Sequence, residues 1–136
     1  MANEKILIID DDDDVAYAMR LPLQAAGYVV YRGASSEEGL RMVKQVNPDL
    51  IILDVMMDTT TAGFQVSLTL RNSSASSEYA AYRYVPILML TAIHKTTPLR
   101  FGPNEEYLPV NAFLEKPIQP EALLEQVRKH LEEKPV

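Results

Sequence analysis

The fold of this 136-residue chain is indicated first by residues 50–54, which read Leu50-Ile51-Ile52-Leu53-Asp54. Four consecutive apolar residues are too few for the face of a helix, and they are typical of a strand buried on both sides. Asp54 stands where this strand leaves the core. Because open α/β sheets bind their ligands at the carboxyl ends of strands, the stretch predicts both a central strand and a functional carboxylate.

Four further apolar segments have the length and composition of strands, at residues 5–9, 28–31, 86–90 and 112–114. Helical patterns separate several of them. Strands that alternate with helices predict an α/β fold, in which a parallel sheet carries helices on both faces. Right-handed crossovers then bring the carboxyl ends of all the strands to one edge of the sheet.

Helix boundaries are marked by local signals. Gly27 is a plausible end for the first helix, and Ser35 with Glu38 forms a capping-box pattern before the second. The dipeptide at 47–48, Asn-Pro, ends that second helix, and Pro120 suits the first position of the last one. Residues 93–109 contain several prolines, so the fourth helix is expected to be short or irregular.

Composition excludes several classes of protein. The chain has no cysteine, which excludes disulfides and thiolate metal sites. No apolar stretch approaches the roughly 20 residues that span a bilayer, and no signal peptide is visible, so we expect a cytoplasmic protein without a membrane partner. The net charge of −6 argues against direct nucleic-acid binding. Length predicts a single domain over residues 1–136, with no effector domain after the last helix.

Five polar residues lie at or just past the predicted strand ends: Asp10, Asp11, Asp54, Thr91 and Lys116. Neighbouring carboxylates repel each other, so such a cluster requires a cation. Oxygen ligands without histidine favour Mg²⁺. Beside this ion an aspartate can accept a phosphoryl group as a nucleophile, while a lysine and a hydroxyl hold the remaining oxygens.

The chain resembles the receiver domain of two-component response regulators. The resemblance rests on IIDDD at 8–12, LIILDVMM at 50–57, LMLTA at 88–92 and FLEKP at 113–117. It implies a flavodoxin-like, doubly wound, five-stranded parallel sheet with strand order 2-1-3-4-5. It also implies a signalling protein, not an enzyme, that takes a phosphoryl group from a sensor histidine kinase or a histidine phosphotransfer protein.

The resemblance assigns a role to each site residue. Asp54 corresponds to the phosphoacceptor, Asp11 to the direct Mg²⁺ ligand, and Asp10 to a ligand acting mainly through water. The backbone carbonyl of Met56 corresponds to a further metal ligand.

The same resemblance identifies the residues that respond to phosphorylation. Thr91 corresponds to the switch hydroxyl, Phe113 to the aromatic switch residue, and Lys116 to the lysine that pairs with the phosphoryl group. The chain departs from the family pattern at Asp58, where proline is usual, and in a longer connection around residues 72–85.

Two alternative interpretations remain open. Residues 11–15 can be read as the D-x-D-x-V motif of a haloacid-dehalogenase-like phosphatase, with Asp11 as the nucleophile. The chain could also be a degenerate receiver that binds partners without phosphorylation. The two histidines, His94 and His130, are expected in surface segments without a catalytic role.

Overall fold

Eight elements make up the described part of the chain. The computed structural model describes residues 4–54, 82, 85–91, 112–115 and 119–132. In chain order the elements are β1 (Lys5–Ile9), α1 (Asp13–Ala25), β2 (Val29–Gly33), α2 (Ser36–Val46), β3 (Leu50–Asp54), β4 (Ile87–Thr91), β5 (Ala112–Glu115) and α3 (Pro120–Glu132).

The strands form one sheet in the order β2-β1-β3-β4-β5, and each neighbouring pair is parallel. The predicted α/β class and strand order are confirmed. Strands β1 and β3 lie inside the sheet, which explains why their sequences are almost entirely apolar. The carboxyl ends of the strands lie at one edge of the sheet, where Asp10 follows β1 and Asp54 ends β3.

Two hydrophobic cores cover the two faces of the sheet. One core contains side chains from α1 and α3, among them Met19, Leu23, Leu123 and Val127. The other contains Val43 of α2 against strand residues of the opposite face. Alternate residues of each strand supply the two cores, so Ile6 and Ile8 face one core while Leu7 and Ile9 face the other.

Strand β2 is longer at its carboxyl end than the apolar pattern predicts. It runs to Gly33, two residues beyond Tyr31, because the parallel ladder with β1 continues to the pair Ile9–Gly33. The amide of Asp10 then donates to the carbonyl of Gly33 at 3.0 Å. The hydrogen bonding between β1 and β2 therefore continues as far as the backbone of Asp10.

The predicted cap of α2 is present in the structure, and α1 begins with a side-chain cap as well. Asp12 caps α1, and its Oδ1 accepts from the amides of Asp14 at 2.9 Å and Val15 at 3.1 Å. Ser35 caps α2 by accepting from the amide of Glu38, whose own carboxylate accepts from the amide of Ala34. Asx and Ser caps of this kind satisfy amides that have no partner inside the helix.

The end of α2 is fixed by a second contact. Asn47 has a left-handed conformation with φ 56°, which ends the helix, and its Oδ1 accepts from the hydroxyl of Tyr82 at 2.5 Å. Gly27, with φ 101°, follows the end of α1. Both residues were predicted as helix ends.

His130 is buried at 9% exposure, so the expectation of a surface position was wrong. The periodicity explains why, because Leu123, Val127 and His130 recur at helical spacing on the buried stripe of α3. Its Nδ1 lies 3.0 Å from the carbonyl of Gln126, to which it donates within the helix. Nothing in this arrangement assigns the histidine a chemical role.

Several expectations concern segments outside the described residues. They are the short or irregular fourth helix at 93–109, the position of Asp58, and most of the connection at 72–85. Within the ranges that are described, no helix combines the length and apolar character needed to cross a membrane.

Candidate functional site

Asp10 and Asp54 are neighbours at the carboxyl edge of the sheet. Strands β1 and β3 pair in parallel with Ile9 opposite Leu53, so the next residue on each strand is an aspartate. Asp10 is 0% exposed and Asp54 is 4% exposed. Because charged carboxylates are rarely buried unless they are paired or bind a metal, this placement indicates a functional site.

Asp11 completes a cluster of three carboxylates. One oxygen from each of Asp10, Asp11 and Asp54 lies within 4.8 Å of the other two. At that separation two unit charges repel by about 3.5 kcal/mol at an effective dielectric of about 20. Three oxygen donors that converge in this way fit a hard divalent cation such as Mg²⁺, which prefers carboxylate and carbonyl ligands.

The two buried aspartates differ from Asp11 in exposure. Asp11 is an exposed residue of the loop between β1 and α1, whereas Asp54 ends a fully buried strand. A cation held by this cluster would therefore contact the core on one side and solvent on the other. Such a site leaves room for a ligand to approach from the solvent side.

Hydrogen bonds orient the carboxylate of Asp10. The amide of Asp12 donates to Asp10 Oδ1 at 2.9 Å, and the amide of Asp10 itself is held by Gly33 at 3.0 Å. The side chain and the backbone of Asp10 are thus both fixed by neighbouring main-chain groups. Preorganised ligands of this kind bind a metal without a large ordering cost.

Arg32 is a residue of the site that the sequence analysis missed. Its Nε and Nη2 donate to the main-chain carbonyl of Asp10 at 3.0 and 2.8 Å, and its Nη1 pairs with Asp13 Oδ1 at 2.6 Å. The only signals in the sequence were a cation directly after the predicted second strand and a run of five aspartates after the first. That pattern does not say which aspartate the arginine contacts.

The remaining predicted site residues are described incompletely or not at all. Thr91 ends β4, with its backbone opposite Glu115, and Leu90 is opposite Asp54. The threonine backbone is therefore one step beyond Asp54 along the neighbouring strand. The side chains of Thr91 and Phe113, and the whole of Met56 and Lys116, lie outside the described residues.

A cavity of about 360 Å³ is lined by residues of α1, β1 and β2. Its lining includes the apolar residues Ile8 and Val30 and the charged residues Arg20 and Arg32. None of the three clustered carboxylates lines it. The cavity and the carboxylate cluster are therefore distinct features that share Arg32 as a neighbour.

A family model, curated relatives and solved structures all match this chain to the same family of proteins. The model of the response regulator receiver domain matches residues 6–128. The DNA-binding dual master transcriptional regulator RpaA of Synechocystis sp. is 32% identical over 91% of this chain, and AfsQ1, a transcriptional regulatory protein of Streptomyces coelicolor, is 31% identical over 90%. The structure of chemotaxis protein CheY4 from Vibrio cholerae superposes with a TM-score of 0.75 at 29% identity, covering 93% of this chain and 98% of that one.

The two curated relatives are longer than this chain. The matched region is 47% of RpaA and 49% of AfsQ1, so the chain spans about half the length of these relatives. CheY4 matches over nearly its whole length. The similarity therefore concerns one domain of the transcriptional regulators and nearly all of the chemotaxis protein.

Proposed function

This chain belongs to the response regulator receiver domain family, and on that basis we propose that Asp54 accepts a phosphoryl group in a Mg²⁺-dependent reaction. The observation that carries the proposal is the convergence of Asp10, Asp11 and Asp54 at one edge of the sheet. The donor is the phosphohistidine of a sensor kinase or of a histidine phosphotransfer protein. Receiver domains of two-component systems are signalling modules, and the family match does not favour the phosphatase alternative.

The reaction is a phosphoryl transfer between two side chains. An oxygen of Asp54 forms a bond to phosphorus while the phosphorus–nitrogen bond of the phosphohistidine breaks, and the departing imidazole takes up a proton. Catalysis of such a transfer depends on positioning and charge stabilisation. Mg²⁺, when bound, neutralises the phosphoryl oxygens that would otherwise be repelled by the carboxylates.

The buried position of Asp54 supports its choice as the nucleophile. It is fixed in β3, whereas Asp11 is exposed in a loop and is better suited to hold the metal directly. Asp10, held by the amide of Asp12, is suited to hold a metal-bound water. The backbone carbonyl of Met56 is proposed as a further metal ligand.

Three other residues are proposed to bind the product and to respond to it. Lys116 pairs with the phosphoryl group, and the hydroxyl of Thr91 moves towards it. Phe113 changes its environment with Thr91 and so alters the surface offered to a protein partner. The backbone of Thr91, one step beyond the level of Asp54 on the adjacent strand, supports its part in this assignment.

We further propose that residues 1–136 form one receiver unit that acts in the cytoplasm. The net charge of −6 makes it more suited to basic protein surfaces than to nucleic acid. RpaA is DNA-binding by its name, but the matched region is only 47% of that protein. The output of this chain is therefore proposed to be a change in protein binding.

Beryllofluoride, which mimics a phosphoryl group on a carboxylate, provides the test. With Mg²⁺ it should shift amide resonances around β3 and β4 of the wild-type protein, and removal of the metal by EDTA should reverse the shifts. Asp54→Asn should abolish them. Asp14→Asn, which removes a carboxylate of the same acidic run outside the cluster, should leave them intact. Identical spectra for the wild type with and without beryllofluoride and Mg²⁺ would reject the proposal.

A further inference from the structure

Arg32 connects the edge strand β2 to the loop that carries two of the clustered carboxylates. Two of its nitrogens converge on one acceptor, the main-chain carbonyl of Asp10, at 3.0 and 2.8 Å. A third nitrogen reaches Asp13 in the first turn of α1 at 2.6 Å. One planar guanidinium thus spans the whole turn from the end of β1 to the start of α1, which a lysine cannot do.

Arg32 and Gly33 of β2 bind the two main-chain polar groups of Asp10, its carbonyl and its amide. The carbonyl of Gly33 accepts from the Asp10 amide, and the side chain of Arg32 donates to the Asp10 carbonyl. The peptide units before and after Asp10 are therefore both fixed by the same strand. The second of these units is the one that leads to Asp11, an exposed member of the carboxylate cluster.

We infer that Arg32 is a positioning residue for the metal site, acting through the Asp10–Asp11 peptide unit. The inference rests on the proposed Mg²⁺-dependent function. Arg32 contacts the main chain of Asp10, and its ion pair is with Asp13, which is outside the cluster. By fixing this peptide unit, Arg32 keeps the carboxylates of Asp10 and Asp11 in the orientation in which they converge. Groups that orient metal ligands commonly change metal affinity by about 10- to 100-fold when they are removed.

The charge of Arg32 alone predicts the opposite effect on metal affinity. A cation close to a metal site repels the metal, so its removal should tighten Mg²⁺ binding if charge were its only contribution. A positioning role predicts weaker binding, because the loop loses the bonds that hold it. The sign of the change therefore distinguishes the two explanations.

Arg20 provides a matched control. It lines the same cavity as Arg32, and replacing either residue with glutamine makes the same change in net charge. Arg20 is on the exposed side of α1. A loss of affinity that is confined to the Arg32 variant cannot then come from the overall charge of the protein.

Isothermal titration with MgCl₂ at constant ionic strength, on the unphosphorylated full chain, tests the inference. Arg32→Gln should weaken Mg²⁺ binding roughly tenfold. Arg32→Lys, which keeps the charge but lacks the three donor nitrogens of the guanidinium, should also weaken Mg²⁺ binding. Arg20→Gln should bind Mg²⁺ at least as tightly as the wild type. If Arg32→Lys matches the wild type, or if Arg32→Gln binds Mg²⁺ as tightly or more tightly, the positioning role is wrong.

Amide hydrogen exchange without metal gives a second readout. The amide of Asp12, which donates to Asp10 Oδ1, should exchange faster in Arg32→Lys than in the wild type while the amides of β3 are unchanged. Equal exchange at Asp12 would overturn the inference even if the variants were less stable. If the wild type itself binds no Mg²⁺, the proposed function is wrong. If the wild type binds Mg²⁺ and the Arg32 variants bind it equally well, only the positioning role of Arg32 is wrong.

Discussion

Asp10 and Asp54 are the residues in which stability and function oppose each other. Both carboxylates are at least 96% buried, and both contribute an oxygen to a cluster within 4.8 Å. Burial and mutual repulsion disfavour two charged groups in this position. A cation or a phosphoryl group with its metal relieves that repulsion, so the same arrangement that destabilises the metal-free protein prepares it to bind.

The Asp54→Asn variant should therefore be more stable than the wild type when no metal is present. Removing one charge from the cluster should raise the free energy of unfolding by about 1–3 kcal/mol, somewhat less than the full Coulomb energy because solvent screens Asp11. Urea unfolding followed by circular dichroism in EDTA measures this difference. Asp14→Asn, which changes the charge outside the cluster, should not increase stability, and an Asp54→Asn protein less stable than the wild type would contradict the interpretation.

The clustering of the three aspartates could be anticipated from sequence, because each follows a recognisable buried strand and parallel strands end at one edge. Their chemical roles stay predictions. The contact between Arg32 and the Asp10 carbonyl could not be anticipated, since it depends on how far β2 continues beside β1. His130 was expected in a surface segment, but it lies at helical spacing from Leu123 and Val127 on the buried stripe of α3.

Helix α2 packs unusually closely against the central sheet. A Cβ atom placed on Gly39 would lie 2.7 Å from the side chain of Ile9, and one on Gly33 would lie 2.8 Å from the Cα of Gly39. Only hydrogen fits at these two positions. Since Ile9 immediately precedes Asp10, the packing of α2 supports the base of the carboxylate cluster.

Gly39→Ala should destabilise the protein despite the better helix propensity of alanine. The overlap with Ile9 should lower the free energy of unfolding by about 1–3 kcal/mol, while the helix propensity offsets up to about 1 kcal/mol of this. Gln45→Ala, at an exposed position of the same helix, is the matched control and should change stability little. Equal stability of Gly39→Ala and Gln45→Ala in urea unfolding would show that the contact is not tight.

Helix ends were more predictable than strand ends. Ser35, Asn47 and Gly27 mark helix boundaries through local chemistry that the sequence displays directly. Strand ends depend on the partner strand, so β2 and β4 extend beyond the apolar runs that predicted them. The contact of Tyr82 with Asn47 links distant segments and has no signature in the sequence.

Metal binding should be coupled to the folding of the protein. A ligand that binds only the folded state adds RT ln(1 + [L]/Kd) to the free energy of unfolding, which is about 2.7 kcal/mol at 100 times Kd. We therefore expect the melting temperature of the wild type to rise with MgCl₂ and to fall again with excess EDTA. Differential scanning calorimetry at constant ionic strength measures the shift.

Asp11→Asn is the variant that separates this coupling from a general effect of salt. It removes an exposed carboxylate of the cluster and should reduce the Mg²⁺-dependent shift while the fold is retained. A shift of the same size in Asp11→Asn and the wild type would mean that the cation acts elsewhere on the protein.

Among the clustered aspartates, Asp54 is the one that we expect to become phosphorylated. Borohydride reduces an aspartyl phosphate to homoserine, and peptide mass spectrometry then locates the converted residue. After treatment with a small phosphodonor and Mg²⁺, conversion should occur at position 54 and should disappear when EDTA is added first. Conversion at Asp11, as the phosphatase alternative requires, or no conversion in protein that binds Mg²⁺, would rule out Asp54 as the phosphoacceptor.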